Sequence, residues 1–242
     1  MFLVAHRDPL VLIALALETA TDICSVAVAR DGEVIGRATA DSVHQHASRL
    51  TILISEALSE AQVNLSEVNR LILSDGPGSY TSLRVGAATA KGLCLAMPGL
   101  AFSVVPTLVS LAAACSGEGV DRILAVLDSR RDEVFGQVFA AADLAPASEV
   151  MNIRLTDPQW RGRLLGGAGL GRIAVCGPGQ ERLREALDPG DNAFSFASPG
   201  RALAEQLLAA GALTYAREPD IAVYEPFYRN APFVTKSKKR GL

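Results

Sequence analysis

The most specific stretch of the sequence runs from Ser74 to Gly86 and reads SDGPGSYTSLRVG. The apolar run Leu71–Ser74 predicts a short β-strand, and the small and apolar residues of Thr81–Leu95 predict an α-helix. The glycines between them allow a sharp turn whose backbone can approach a ligand, and the hydroxyl-rich helix start presents N–H groups that attract anions. We therefore predict a nucleotide- or anion-binding turn at Gly76, Gly78, Ser79, Thr81 and Ser82. The alternative is that one of these hydroxyls only caps a buried helix.

Upstream of this stretch, the sequence predicts three antiparallel strands in a row. The apolar runs Val11–Leu17 and Ile23–Ala29 are separated by a polar turn that contains two acidic residues. Asp31-Gly32 then predicts a tight hairpin before a third strand at Glu33–Ala38. Residues 1 to 9 form an extension to which the sequence assigns no role.

A helix is predicted to follow the three strands. Ser42 and Gln45 have the spacing of a capping box, in which a hydroxyl and an amide satisfy the first free N–H groups of a helix. Behind them, apolar residues recur at helical spacing as far as Ala61. We predict that one face of this helix packs against its own sheet through Leu50, Leu53, Ala57 and Leu58.

The same order of elements returns in the second half of the chain. Ile123–Leu127 and Val134–Ala140 predict a second hairpin, Ile173–Cys176 predicts a strand, and Gln180–Leu187 predicts a helix after a Gly-Pro-Gly turn. In this weak repeat, the acidic residues of the two hairpins match in pairs: Glu18 with Asp128, and Asp22 with Asp132.

The repeat predicts an α/β protein of two duplicated lobes. By analogy, this is the RNase H-like architecture of actin, Hsp70 and sugar kinases, although a fold alone does not define a function. We expect an N-terminal lobe over residues 1–107, completed by 215–242, and a C-terminal lobe over 108–214.

Composition narrows the class of protein. The 242 residues are 49% apolar and 20% charged, which is typical of a soluble globular chain, and no segment is long and apolar enough to cross a membrane. The net charge of −3 argues against broad binding to a nucleic-acid backbone. We expect a cytoplasmic protein with no membrane contact. The basic cluster Lys236, Lys238, Lys239 and Arg240 predicts a solvated tail, or alternatively a segment that steers tRNA.

The four cysteines are far apart in the sequence and contain no Cys-x-x-Cys pair. A zinc site or a disulfide framework is therefore not indicated, and reduced thiols are expected. They are Cys24, Cys94, Cys115 and Cys176.

The stretch from Ser74 to Gly86 closely resembles the GPGSFTGLRIG signature of the TsaB (YeaZ) family. Four further segments resemble family elements in the same order, so the resemblance spans residues 11 to about 230. Glu18 stands where the family usually has an aspartate. The four segments are the hairpin Leu15–Val28, the helix start His46–Leu50, the DAR-x-x-EVY-like element Asp128–Phe135, and the P-x-YLR-like ending Glu225–Arg229.

The resemblance implies a non-catalytic scaffold or activating subunit of the complex that forms N6-threonylcarbamoyladenosine at position 37 of tRNAs. Its expected partners are a TsaD-type transferase and a TsaE-type ATPase, with tRNA contacted only through the complex. The resemblance implies no cofactor for the chain alone, while ATP or ADP would bind weakly or within the complex. A homodimer is the alternative assembly for the isolated chain.

A catalytic TsaD-like transferase is one alternative. Such proteins hold a metal through two histidines at HxxxH spacing, because residues four apart share one helix face. The histidines of this chain are His6, His44 and His46, and none of them are four apart. We therefore predict no metal site and no catalytic residues.

Two further alternatives are a kinase and a peptidase. A small sugar or carboxylate kinase of this fold would place Glu18, Asp75 and Asp128 about the cleft. The chain is short for such a kinase. No arrangement of Ser, His and Asp in the sequence indicates a peptidase.

The partner is predicted to bind the two helices of the first lobe. Small residues at helical spacing would allow a second pair of helices to approach closely, and the resemblance implies the same contact. The predicted interface comprises Ser48, Ile52, Ser55 and Ser59 on the first helix and Arg84, Ala88 and Gly92 on the second. The alternative is that more of the chain covers these positions.

Overall fold

The computed structural model describes residues 11–40, 46–115, 119–129, 132–165, 171–188 and 191–229. In the first half, the elements are β1 (Ile13–Glu18), β2 (Cys24–Arg30), β3 (Glu33–Ala40), α1 (His46–Glu60), β4 (Arg70–Ser74), α2 (Tyr80–Ala96), β5 (Ala101–Val105) and α3 (Thr107–Ala113). In the second half, they are β6 (Arg122–Asp128), β7 (Glu133–Ala140), β8 (Met151–Arg154), α4 (Trp160–Leu165), β9 (Ile173–Cys176), α5 (Gln180–Glu185), β10 (Phe194–Phe196), α6 (Ala204–Leu207) and α7 (Ala210–Leu213). A short 3-10 helix, Leu65–Glu67, precedes β4.

The strands form two five-stranded sheets with the same topology. The first has the order β3-β2-β1-β4-β5 and the second the order β8-β7-β6-β9-β10. In each sheet the first three strands are antiparallel and the last two join in parallel. The predicted fold of two duplicated α/β lobes is therefore confirmed. The division into lobes at residues 107 and 214 stays a prediction.

Alternation along β1 explains how the first sheet is covered on both faces. Leu15 and Leu17 point into the core that also contains the buried face of α1, whereas Ala14 and Ala16 face the other way. A strand places successive side chains on opposite faces, so one face of β1 is bulky and the other is small. The small face packs against α6 and α7, whose buried residues include Leu207.

The second sheet is covered in a similar way. On β6, Leu124 and Val126 lie in the core with α4 and α5, while Ile123 and Leu127 face α3. The helix α3 also contacts α6 and α7, which cover the first sheet. These three helices therefore lie between the two sheets and join the lobes.

The predicted strands and helices are confirmed within a few residues. Leu50, Leu53, Ala57 and Leu58 are buried, as expected for the sheet-facing side of α1. Several predictions concern residues outside the described ranges: the extension 1 to 9, the capping box at Ser42 and Gln45, and the basic tail. Among the residues that are described, no helix is long and apolar enough to cross a membrane.

Candidate functional site

The start of α2 is capped by one of the predicted hydroxyls. Ser79 is the N-cap residue, and its Oγ accepts hydrogen bonds from the backbone N of Ser82 (3.5 Å) and from Ser82 Oγ (3.0 Å). The backbone N of Ser79 donates to the carbonyl oxygen of Ala20 at 2.7 Å. Capping therefore accounts for Ser79 and Ser82. The first-turn N–H groups of Tyr80 and Thr81 have no partner within the helix, as at any helix start.

Gly76 and Gly78 are both required by close backbone packing. Gly76 has a φ of +99°, and a β-carbon there would lie 2.6 Å from the carbonyl oxygen of Phe227. A β-carbon on Gly78 would lie 2.2 Å from the carbonyl oxygen of Ala20. Both distances are too short for any side chain, so only glycine fits at these two positions. The glycines allow close contact with the protein's own backbone, whereas the sequence suggested close contact with a ligand.

The second lobe repeats this turn after β9. Gly177 has a φ of +103°, and a β-carbon on it would lie 2.1 Å from the carbonyl oxygen of Val126. A β-carbon on Gly179 would lie 2.9 Å from the carbonyl carbon of Leu127. In both lobes, a Gly-Pro-Gly turn thus packs against the end of a hairpin.

The two hairpin tips and the two turns line one cleft between the lobes, with a volume of about 380 Å³. Of the predicted anion-binding residues, Gly78, Ser79 and Thr81 line this cleft, and Gly76 and Ser82 do not. The cleft is lined by residues 20–23 and 78–81 of the first lobe and by 127–129, Phe135 and Pro178 of the second. Anion binding at this cleft stays a prediction.

The acidic residue of the first hairpin is turned into the protein. Glu18 has no exposed surface, and its Oε1 accepts a hydrogen bond from the backbone N of Ala20 at 2.6 Å. Its Oε2 is buried without a hydrogen-bond partner among the described residues. Burial raises the pKa of the Glu18 carboxyl from 4.5 to about 7, although the Ala20 amide opposes the shift. Glu18 therefore caps its own hairpin rather than facing the cleft.

The matching residue of the second hairpin does face the cleft. Asp128 is exposed and lines the cleft opposite Asp22. Its Oδ1 lies 3.0 Å from Nε of Arg182. Partial burial raises the pKa of Asp128, the Asp22 carboxylate adds to this, and Arg182 opposes it. Glu18 and Asp128, which occupy matching positions in the sequence repeat, therefore have different environments: Glu18 is buried and Asp128 lines the cleft.

Asp75 anchors the C-terminal part of the chain to the end of β4. Its buried carboxylate is paired with the guanidinium of Arg217 and accepts a hydrogen bond from the hydroxyl of Tyr224 at 3.0 Å. The backbone N of Phe227 donates to the Asp75 carbonyl oxygen at 2.8 Å. Burial raises the pKa of Asp75, with Arg217 and Tyr224 opposing. Sequence reasoning missed this role because the partners are about 150 positions away.

The three acids of the kinase alternative therefore do not converge. Asp128 lines the cleft, but Glu18 and Asp75 are buried and bonded inside the first lobe. A kinase of this fold was expected to place all three carboxylates about the cleft, and the structure places only one of them there.

All seven residues of the predicted partner interface are exposed. Between α1 and α2 lies an open groove of about 690 Å³, into which Ser55, Ser59 and Gly92 of the predicted set open directly. The floor is apolar and contains Ile54, Leu58, Leu65 and Leu93, which the sequence analysis did not assign to the interface. Of the seven predicted positions, Arg84 also contacts the C-terminal segment, because its guanidinium lies 5.8 Å from the ring centroid of Tyr228.

One cluster beside the cleft was not predicted. The ring centroids of Tyr80 and Tyr228 are 4.7 Å apart, and the guanidinium of Arg84 lies 4.3 Å from the Tyr80 centroid. Cation–π attraction and ring contact thus connect the start of α2 to the C-terminal segment. Periodicity could not predict this contact, because Tyr80 and Tyr228 are distant in sequence.

The described residues contain no group of three or more His, Cys, Asp or Glu side chains placed to hold a metal ion. His46 is buried at the start of α1, and neither of its ring nitrogens has a hydrogen-bond partner in the described ranges. His6 and His44 lie outside those ranges. The absence of a metal site stays a prediction.

Two matching lobes that meet at a cleft, each with a hairpin and a Gly-Pro-Gly turn before a helix, define a two-lobed α/β protein of the actin and sugar-kinase type. A solved structure with this fold is component A of (R)-2-hydroxyglutaryl-CoA dehydratase from Acidaminococcus fermentans. It aligns with a TM-score of 0.51 over 85% of this chain and 97% of its own, at 14% identity. That likeness concerns the fold alone.

Other known proteins are more similar. A crystal structure from Pseudomonas aeruginosa, of an uncharacterized protein with similarity to peptidase YEAZ, aligns with a TM-score of 0.72 at 25% identity, over 90% of this chain and 99% of its own. The tRNA threonylcarbamoyladenosine biosynthesis protein TsaB of Escherichia coli K12 is 35% identical over 123 residues, which are 50% of this chain and 52% of that protein.

A family model described as TsaD, tRNA N6-adenosine threonylcarbamoyltransferase, matches residues 34–149. The resemblance to the TsaB (YeaZ) family that the sequence predicts is therefore confirmed. It spans about half the length of the curated relatives it matches.

Proposed function

We propose that this chain takes part in tRNA threonylcarbamoyladenosine biosynthesis as the non-catalytic subunit that holds a TsaD-type transferase. The modification would be N6-threonylcarbamoyladenosine at position 37 of tRNAs, with tRNA reached only through the complex. The observation that carries this proposal is the open apolar groove between α1 and α2, in a chain whose relatives are named for this pathway.

The groove has the chemistry of a helix-docking surface. Its floor is built from Ile54, Leu58 and Leu93, while Ser55, Ser59 and Gly92 open into it without bulky side chains. Small residues let two helix pairs approach closely, and an exposed apolar surface favours burial by a partner. Ile52 adds an exposed apolar side chain beside it (44% exposed). A helical pair from the transferase would fit this chemistry.

The acidic residues support a non-catalytic role. Glu18 and Asp75, which could have served a nucleotide or a metal in the cleft, are both engaged in holding the first lobe together. A buried carboxylate bonded to its own hairpin or to an arginine contributes to structure rather than to transfer chemistry.

A catalytic transferase is the second candidate, because the TsaD model matches residues 34–149. That range contains His44 and His46, which are two residues apart and not at HxxxH spacing. Residues two apart on a helix do not share a face. This spacing favours the subunit role over the catalytic one.

Reconstitution separates the two candidates. The purified chain, a TsaD-type transferase and a TsaE-type ATPase from the same source are combined with tRNA and a threonylcarbamoyl donor, and modified adenosine is measured by mass spectrometry. We expect modification only when the chain and the transferase are both present. Modification by the chain alone, or by the transferase and ATPase without the chain, would refute the proposal.

We further propose that the cleft takes ATP or ADP weakly, or only within the complex. Thr81 lies on the cleft at the start of α2, where helix N–H groups favour anions. Asp22 and Asp128 line the same cleft and repel phosphate unless a cation is present, which argues for weak binding. Thr81→Glu should abolish nucleotide binding in calorimetry with the assembled complex, while Ala142→Glu, at an exposed turn away from the cleft and the groove, should leave it unchanged. Equal nucleotide binding by Thr81→Glu and the parent complex would exclude the cleft.

A further inference from the structure

Two of the four cysteines meet in the second lobe, although they are 61 positions apart in the sequence (176 minus 115). Cys176 is the last residue of β9, and Cys115 follows the end of α3. Both pack in the apolar core between α3 and β6. No disulfide joins them in the structure.

The contact is fixed by the end of α3. The Sγ of Cys176 lies 3.6 Å from the carbonyl oxygen of Leu111, to which it donates. Leu111 precedes Cys115 by one helical turn, and the backbone N of Cys115 donates to the carbonyl oxygen of Ala112 at 3.1 Å. The backbone therefore brings the Cys115 side chain back over the end of the helix, where it makes a hydrogen bond with the Cys176 thiol.

The two thiols have different environments. Cys176 is completely buried, whereas Cys115 is partly exposed. The hydrogen bond to Cys115 and burial raise the pKa of Cys176 well above its usual range. A protonated, buried thiol is a poor nucleophile, so a reagent in solution reacts first with the partly exposed Cys115.

We propose that Cys115 and Cys176 are a reversible redox pair that reacts with low-molecular-weight disulfides. The Cys115 thiolate attacks one sulfur of the disulfide, forms a mixed disulfide and releases one thiolate. Cys176 then loses its proton and attacks the Cys115 sulfur, which forms the Cys115–Cys176 bond and releases the second thiolate. The two cysteines are oxidised by two electrons, and the small disulfide is reduced to two thiols.

The bond would lock α3 to the second sheet. Since α3 also contacts α6 and α7, which cover the first sheet, the cross-link lies at the junction between the lobes. Reduction would return the junction to the state seen in the structure.

Cys24 and Cys94 serve as internal controls, because they belong to the first-lobe core rather than to this contact. Cys94 is partly exposed like Cys115, so it reports ordinary reactivity with the same reagent. Cys94→Ser and Cys115→Ser are the two matched variants, and Cys176→Ser tests the order of the steps.

The purified chain is incubated with oxidised glutathione, and thiols are counted after denaturation, with peptide mapping by mass spectrometry. We expect the parent and Cys94→Ser to lose two thiols as a Cys115–Cys176 linked peptide, and a reductant to restore both. Cys176→Ser should retain one glutathione on Cys115, and Cys115→Ser should form no linked peptide. If Cys115 of the parent instead stays reduced, retains glutathione, or links to Cys24 or Cys94, the proposal is wrong.

Discussion

Gly78 lies directly against Ala20, and a β-carbon on residue 78 would be 2.2 Å from the Ala20 carbonyl oxygen. The same oxygen accepts a hydrogen bond from the backbone N of Ser79 at 2.7 Å. The turn before α2 and the tip of the first hairpin are therefore one packed unit. Replacement of Gly78 by a bulky residue would test packing and not ligand binding.

The first prediction contrasts two glycines of the same segment. Gly78→Ala should lower the free energy of unfolding by about 2 kcal/mol or more, because overpacking against backbone cannot relax easily. Gly92→Ala should raise it by about 0.5 to 1 kcal/mol, because alanine is the better helix former and a β-carbon there meets nothing within 4 Å. Urea denaturation measures both. Equal stabilities for the two variants would show that Gly78 is not packed as described.

The second prediction concerns the buried carboxyl of Glu18. Its pKa is raised to about 7 in the folded chain from 4.5, so its contribution to stability is fully present below the unfolded pKa and is lost as pH rises through about 7. Glu18→Gln removes this dependence, and the variant should become more stable than the parent by an amount on the order of 3 kcal/mol at high pH. Below about pH 4, where the side chain of Glu18 is uncharged in both the folded and the unfolded chain, the two proteins should differ little.

Thermal unfolding from acid to mildly alkaline pH checks this difference. Glu33→Gln is the control, because Glu33 is an exposed glutamate at the start of β3. The control should follow the parent at every pH. A Glu18→Gln variant whose advantage does not grow with pH would contradict the burial of a protonated carboxyl at this position.

The third prediction concerns the attachment of the C-terminal segment. Tyr224→Phe removes the hydroxyl that donates to Asp75 Oδ1 at 3.0 Å but keeps the ring, which contacts Phe102 with centroids 5.2 Å apart. A hydrogen bond to a charged group contributes about 1.5 to 3 kcal/mol, so stability should fall by that amount. Limited proteolysis should release residues beyond 217 faster.

Tyr215→Phe is its matched control. The Tyr215 hydroxyl donates to the neutral carbonyl oxygen of Leu144 at 2.7 Å, so its loss should cost only about 1 kcal/mol. It should also leave proteolysis of the C-terminal segment unchanged. Equal effects of Tyr224→Phe and Tyr215→Phe would mean that Asp75 does not anchor the segment.

The fourth prediction tests the proposed docking face. Ser55→Arg and Ala88→Arg place a charge where the partner helices would be buried, and an unpaired buried charge is strongly unfavourable. Both positions are exposed in the isolated chain. Calorimetry should show that both variants no longer bind the transferase. The melting temperature of the chain alone should be unchanged.

Ala142→Arg introduces the same charge at an exposed turn of the second lobe and should bind the transferase like the parent. Undiminished binding by Ser55→Arg and Ala88→Arg would place the interface on another surface.

Local sequence signals were sufficient for most of the fold. The continuous apolar runs, the Asp31-Gly32 hairpin and the Gly-Pro-Gly turns predicted the strands and the duplication, because each signal involves residues close together in the chain. The helices α6 and α7 were not predicted. They are four residues each and are held by packing on the small face of the first sheet, which no local pattern reports.

The site was harder to predict, because its features depend on contacts between distant residues. A carboxylate is usually exposed. Nothing in the sequence therefore indicates that Glu18 is buried while Asp128, at the matching position of the repeat, is exposed. Likewise, the glycines at 76 and 78 suggested an approach to a ligand. The oxygens they approach belong to Phe227 and Ala20, and only the folded chain brings these together.

The anchoring of residues 217 to 227 on Asp75 has a consequence for synthesis on the ribosome. The backbone of Val104 exchanges hydrogen bonds with Arg217, and the Asp75 carbonyl oxygen accepts from Phe227. Domains generally fold from the N-terminus as the chain emerges, yet here the edge of the first sheet acquires its last contacts only after residue 227 has been made. The first lobe to be translated is therefore among the last parts to be completed, and a nascent chain halted before this segment would expose an unfinished sheet edge to chaperones.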